Sequence, residues 1–142
     1  MIRVVLDTNI VVSAMLRSGG MPEAIFNLAI DRVIQLYISE PILAEYEEVL
    51  NRPRLNMHPE KVANALFKIR EAGTVVRPSA PVTAASDPDD NVFLECAEAA
   101  EAHYVITGNR DDFPEKWASA LILTPRQFLE VIADTHREES EP

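Results

Sequence analysis

Three acidic positions and one polar loop carry the side chains of this chain that could do chemistry. Asp7 directly follows the apolar, β-branched run Val4-Val5-Leu6, so it stands at the end of a segment that reads as a strand buried on both faces. In open parallel α/β sheets, ligands bind beyond the carboxyl ends of the strands, which places Asp7 correctly for chemistry. The plain alternative is an N-cap for the apolar helix that follows, since Asp is among the best N-cap residues. Asp90 shares a helical face with Phe93, Leu94 and Ala97 and should point inward. A buried carboxylate has to be paired, hydrogen-bonded or coordinated, unlike its neighbours Asp87 and Asp89, which read as an acid-rich helix start.

Glu45 and Glu47 flank the apolar stripe Ile42, Leu43, Tyr46, Val49 and Leu50 on opposite sides, and Glu48 lies nearly opposite it. Periodicity removes Glu48 and leaves the other two equal. The fourth place is Thr107-Gly108-Asn109-Arg110-Asp111-Asp112, polar groups that follow the short apolar run Tyr104 to Ile106, with Gly108 permitting a tight turn.

The elements that must position these groups alternate. Strands are predicted at Ile2 to Leu6, Ile34 to Ile38, Thr74 to Val76, Tyr104 to Ile106 and Leu121 to Leu123. Helices are predicted over 9–16, from Pro22 to about Asp31, Pro41 to about Asn51, Pro59 to about Glu71, Asp90 to Ala102 and Pro125 to about Asp134. Such alternation predicts an α/β fold with a parallel sheet. The longest irregular connection runs from Arg77 to Asp89 and holds Pro78, Pro81 and Pro88. Residues 1–135 read as one domain, and 136–142 as a polar, frayed C-terminal tail.

Composition sets the outer bounds. With 142 residues, 47% hydrophobic and 25% charged, the chain fits a single globular domain. No apolar run approaches the roughly 20 residues of a membrane span, and the N-terminus lacks a secretory pattern, so a cytoplasmic protein is expected. Cys96 cannot form an internal disulfide and reads as a small buried hydrophobe, and the histidines at 58, 103 and 136 offer no zinc spacing. The net charge of -10 is uneven: residues 50–77 hold six basic and two acidic side chains, whereas 78–142 hold four and fourteen. Arg52, Arg54, Lys61 and Lys68 are therefore candidate phosphate contacts, with a solvated helix surface as the equal alternative.

In order and spacing, these segments resemble the PIN domain, the small metal-dependent RNase fold found in VapC-type toxins of toxin-antitoxin pairs. The marks are Leu6-Asp7-Thr8-Asn9, the helix start Ser39-Glu40-Pro41-Ile42-Leu43-Ala44-Glu45, the run Asp87-Pro88-Asp89-Asp90-Asn91 with the helix after it, and Thr107-Gly108-Asn109. The resemblance implies a three-layer α/β/α fold around a central, mainly parallel five-stranded sheet. It also implies that Asp7, Glu45 and Asp90 are catalytic metal ligands for Mg²⁺ or Mn²⁺, with Asn9, Ser13, Thr107 and Asn109 as supporting polar groups. Asn109 stands where many members carry a further acid, leaving Asp111 or Asp112 as substitutes and one metal or two as alternatives.

The implied activity is endonucleolytic hydrolysis of RNA by a toxin paired with an antitoxin protein; the alternative is a degenerate PIN domain that binds RNA or protein without catalysis. Hard cations favour carboxylate and water oxygens, so converging acids suit either metal. A homodimer is expected from the family, with Ile10, Val11, Met15, Leu16, Ile25 and Phe26 as either interface or core. The turn after the first strand lacks the glycine pattern of a dinucleotide site.

Overall fold

The computed structural model describes residues 1–140, with side chains to residue 138. Six strands form one sheet: β1 (Arg3–Leu6), β2 (Gln35–Ile38), β3 (Thr74–Val75), β4 (Tyr104–Ile106), β5 (Lys116–Trp117) and β6 (Ala120–Leu123). Their order is β3-β2-β1-β4-β6-β5, and all pairings are parallel except β5 with β6. Six α-helices connect and cover them: α1 (Thr8–Leu16), α2 (Met21–Ile30), α3 (Glu40–Leu50), α4 (Pro59–Ala72), α5 (Asn91–Ala100) and α6 (Pro125–Ser140). This is the expected α/β/α architecture, with a mostly parallel sheet.

The strand beyond the expected five is β5. Two residues with a lysine carry no period-2 signal, and the turn to β6 is Ala118-Ser119, with Ala118 at φ 52°. Hairpin turns of that kind announce themselves through Asn-Gly or Asp-Gly, which is absent here. Helix α6 also runs past the predicted end at Asp134 to Ser140, so 136–140 continue the helix; residues 141 and 142 lie outside the described residues. Its start is a reciprocal cap: Gln127 N–H donates to Thr124 Oγ1 at 3.2 Å and Thr124 N–H to Gln127 Oε1 at 2.9 Å.

Strand β1 lies at the centre because Val4, Val5 and Leu6 are wholly buried and pair on both sides, with β2 and with β4. The chain therefore delivers Asp7 to the middle of the carboxyl edge. Helix α3 is fixed beside it by buried Tyr46, whose hydroxyl donates to the carbonyl of Leu6, and by Ser39, which caps the helix at Ile42 N–H. Helix α5 packs on β1, β2 and β4 through Phe93, Leu94 and Ala97, all fully buried. Among the six apolar residues offered as interface or core, Ile10, Val11 and Ile25 are core, Met15 and Phe26 are half-buried, and Leu16 is 51% exposed. No helix among the described residues is long and apolar enough to cross a membrane.

Candidate active site

A cleft of about 400 Å³ opens at the carboxyl edge of β1. Asp7, Asn9, Ser13, Glu45, Asp90 and Asn109 line it together with Thr8, Asp87, Asp89, Asp112, Arg52 and Arg54. Four segments far apart in sequence thus meet there: the start of α1, the middle of α3, the turn before α5, and the loop after β4.

Asp7 occupies the N-cap position of α1 without a side-chain cap bond, so its carboxylate is free to bond elsewhere. Instead Asp7 Oδ2 accepts from Thr107 Oγ1 at 2.7 Å and from Asn9 Nδ2 at 3.0 Å. Thr107 is 0% exposed and Asp7 5%, so this is a buried arrangement. The Asn109 backbone N–H donates to Thr107 Oγ1 at 3.0 Å, which commits the threonine proton to Asp7. Asn9 Oδ1 accepts from Gly108 N–H at 3.1 Å and completes the frame. Gly108 does not take up the left-handed backbone expected of a turn glycine; the only positive-φ glycine among the described residues is Gly19. Its contribution is that N–H.

Glu45 is half-buried and accepts a short hydrogen bond from Thr8 Oγ1 on Oε2. Glu47 is exposed and lines a separate hollow with Glu40, Ala44 and Arg70. The tie left by periodicity is broken by what lies on each flank of the helix: Thr8 meets Glu45 at the cleft, whereas Glu47 lies on the side of Glu40 and Arg70. Asp90 ends the short 3₁₀ turn Pro88–Asp90 and precedes α5 rather than opening it, with Asp87 Oδ1 capping that turn at Asp89 N–H, 3.0 Å. The turn brings Asp87 and Asp89 to the same cleft, although sequence reasoning assigned them to a surface helix start. Asn91 Oδ1 accepts from Ala85 N–H at 2.9 Å and ties the irregular segment down.

The electrostatics follow from this crowding. Six acids face two arginines, a formal -4 when ionised. Burial raises the Asp7 pKa, opposed first by Thr107 and then by the amides and side chain around Thr8 and Asn9. Glu45 is raised by burial, countered by Thr8 and reinforced by the charges of Asp7, Asp89 and Glu48. Asp90 is pushed up to about 7 by burial, then by Asp7, Asp87, Glu45 and Asp112. Carboxylates that raise one another in this way are an all-oxygen donor set short of positive charge, which suits a hard divalent cation. Among the described residues, however, no three acidic groups already form a metal cage. Thr107 with Asn9, and Thr8, hold two of the carboxylates from behind, and the third, Asp90, feels the charge of both.

Of the two substitutes for a further acid, Asp112 reaches the cleft and acts on Asp90; Asp111 lines a neighbouring hollow instead. The basic residues divide too. Arg52 and Arg54 stand at the cleft, with Arg52 ion-paired to Glu48 at 2.9 Å. Lys61 and Lys68 lie in another depression beside Met15 and Phe26, where Lys61 Nζ donates to the Met15 carbonyl at 2.9 Å, so they do not face the acids. Cys96 is buried, its thiol pushed up to about 12 by burial, and takes no part.

A three-layer α/β fold with an acid-lined cleft at the carboxyl edge of its central strand defines a class of small hydrolytic domains. The PIN-domain family model matches residues 3–111, and the chain belongs to that family, whose members are generally nucleases. The chain is 29% identical over 113 residues to the uncharacterized protein MJ1680 of Methanocaldococcus jannaschii, covering 78% of this chain and 72% of that protein. Its fold is similar to that in the crystal structure of VapBC2 from Rickettsia felis bound to a DNA fragment from their promoter. That match has a TM-score of 0.58 and 16% identity, and covers 87% of this chain and 98% of the other.

Proposed function

We propose that this protein is a divalent-cation-dependent endoribonuclease, the toxin of a cytoplasmic toxin-antitoxin pair. The observation that carries the reading is the meeting of Asp7, Glu45 and Asp90 in one acidic cleft, each supplied by a different element. These three would hold Mg²⁺ or Mn²⁺, with Asp112 close by as a further anionic group. The cation, when bound, acidifies a water and offsets negative charge on the phosphodiester. Thr107 and Asn9 orient the Asp7 carboxylate, Thr8 orients Glu45, and Ser13 and Asn109 present polar groups at the cleft wall. Arg54, which has no ion-pair partner among the described residues, meets substrate phosphate at the rim, while Arg52 is partly neutralised by Glu48. Similarity of fold to the VapBC2 toxin-antitoxin complex supports a protein antitoxin as partner.

The test is cleavage of mixed labelled RNA. Hydrolysis with Mg²⁺ or Mn²⁺ that stops in EDTA, and in Asp7→Asn and Asp90→Asn proteins of native circular dichroism, is the expected result. Equal cleavage by those variants would assign the activity to a contaminant. One observation favours a second reading, a noncatalytic RNA- or protein-binding PIN domain: Asn109 replaces a carboxylate and the acids are not preassembled. Titration calorimetry with no heat of binding at millimolar Mg²⁺ and Mn²⁺ would select it.

A further inference from the structure

A second depression, larger than the acidic cleft, lies beside it. It measures about 790 Å³ and is walled by Leu16, Met21, Pro22 and Pro125, with Arg17 and Arg126 on its margin. Ser13 lines both hollows, so the groove adjoins the cleft. The sequence builds this wall at a single turn: Gly19, at φ 84°, reverses the chain between α1 and α2 and sets Met21 and Pro22 opposite the end of α1. Neither guanidinium has an ion-pair or hydrogen-bond partner among the described residues, whereas those of Arg52, Arg70 and Arg137 are paired with acids. In a chain of net charge -10, two unpaired cations bordering an exposed apolar wall call for an anionic ligand with apolar faces.

We propose that this groove is the subsite for single-stranded RNA flanking the cleaved bond, a reading that rests on the proposed nuclease activity of the adjoining cleft. Arg17 and Arg126 contact backbone phosphates, and an unstacked base lies on Met21, Pro22 and Leu16. The nine residues of α1 span about 14 Å from the cleft to Arg17 at 1.5 Å per residue. A duplex keeps its bases paired and stacked, so it cannot fill the apolar wall, and single strands are selected.

The test separates this subsite from the activity. Anisotropy of a labelled ten-nucleotide single strand is followed with wild type, Arg17→Ala/Arg126→Ala and the control Arg137→Ala, in EDTA and in Ca²⁺. The double variant is expected to bind at least tenfold more weakly. Its slope of log affinity against log salt should be shallower by about 1.4, the loss of two phosphate contacts. Arg137→Ala should stay within twofold. Unchanged affinity of the double variant, equal binding of duplex RNA, or no binding by wild type in either buffer overturns the proposal, the first leaving the groove to a protein segment. The nuclease reading fails separately, through absence of metal-dependent hydrolysis of bis(p-nitrophenyl) phosphate by the wild-type protein.

Discussion

Thr107 and Asp7 stand 100 residues apart in sequence and 2.7 Å apart in space, joined by a hydrogen bond from a fully buried hydroxyl to a nearly buried carboxylate. Parallel pairing of β1 with β4 makes the contact, because Leu6 and Ile106 are register partners and each strand releases one polar residue beyond that pair. Replacing Thr107 by Val leaves that oxygen of Asp7 with Asn9 alone. The expected cost is about 1–3 kcal/mol of stability. Because the Thr107 bond lowers the Asp7 pKa, the acidic limb of the pH-activity profile should move to higher pH. Thr107→Ser should restore both.

Asp90 sets a pH dependence of opposite sign to that of a salt-bridged carboxylate. Its carboxyl is pushed up to about 7 in the fold from an ordinary 3.8, so between those values the native state binds more protons than the unfolded one. Unfolding free energy from this group therefore falls as pH rises through that window. Thermal melts of the metal-free protein should show Tm declining from pH 5 to pH 8, Asp90→Asn flattening the decline, and added Mg²⁺ raising Tm more at pH 8 than at pH 5. A Tm that climbs across the window in the metal-free protein would contradict the burial and repulsion described for the cleft.

Neighbouring acids offer a contrast within single elements. Glu45→Gln should lower metal-dependent activity at least about 100-fold, the upper range for disturbing even an outer group of a metal site, and Glu47→Gln should leave it intact. In the loop after β4, Asp112→Asn should weaken cation binding in calorimetry and Asp111→Asn should not. The reverse pattern in either pair would place the wrong face of the element in the cleft.

Gly73 supplies a test of the fold away from the site. A Cβ there would sit 2.8 Å from the Ile69 carbonyl oxygen and 2.9 Å from Ile38 Cδ1, and the carbonyl cannot yield. Gly73→Ala should destabilise by about 1–3 kcal/mol in chemical denaturation, with the metal-dependent activity of the folded fraction unchanged.

The parallel sheet and the place of Asp7 at its carboxyl edge were legible because apolar runs are local properties of the chain. Proline marks at positions 22, 41, 59 and 125 placed the starts of four helices within a residue. What local pattern could not reach was anything decided by a long-range partner. Glu45 and Glu47 are equivalent on a helical wheel, and only their long-range neighbours, Thr8 for the one and Arg70 for the other, separate them. Asp87 and Asp89 looked like solvated acids because a 3₁₀ turn, not a regular helix, carries them to the cleft. Lys61 and Lys68 share a charge run with Arg52 and Arg54, but α4 turns them to another depression. Strand β5 is two residues of hairpin whose pairing exists only once β6 is in place.

The order in which the chain leaves the ribosome adds a temporal side to the link between β1 and β4. Asp7 is made 100 residues before the threonine whose hydroxyl holds its carboxylate. Until Thr107 and the loop after it emerge, that carboxylate has only its neighbour Asn9, and the cleft has only part of its wall. The acid at the centre of the cleft is thus the first part of the site to be made and one of the last to be fixed in place.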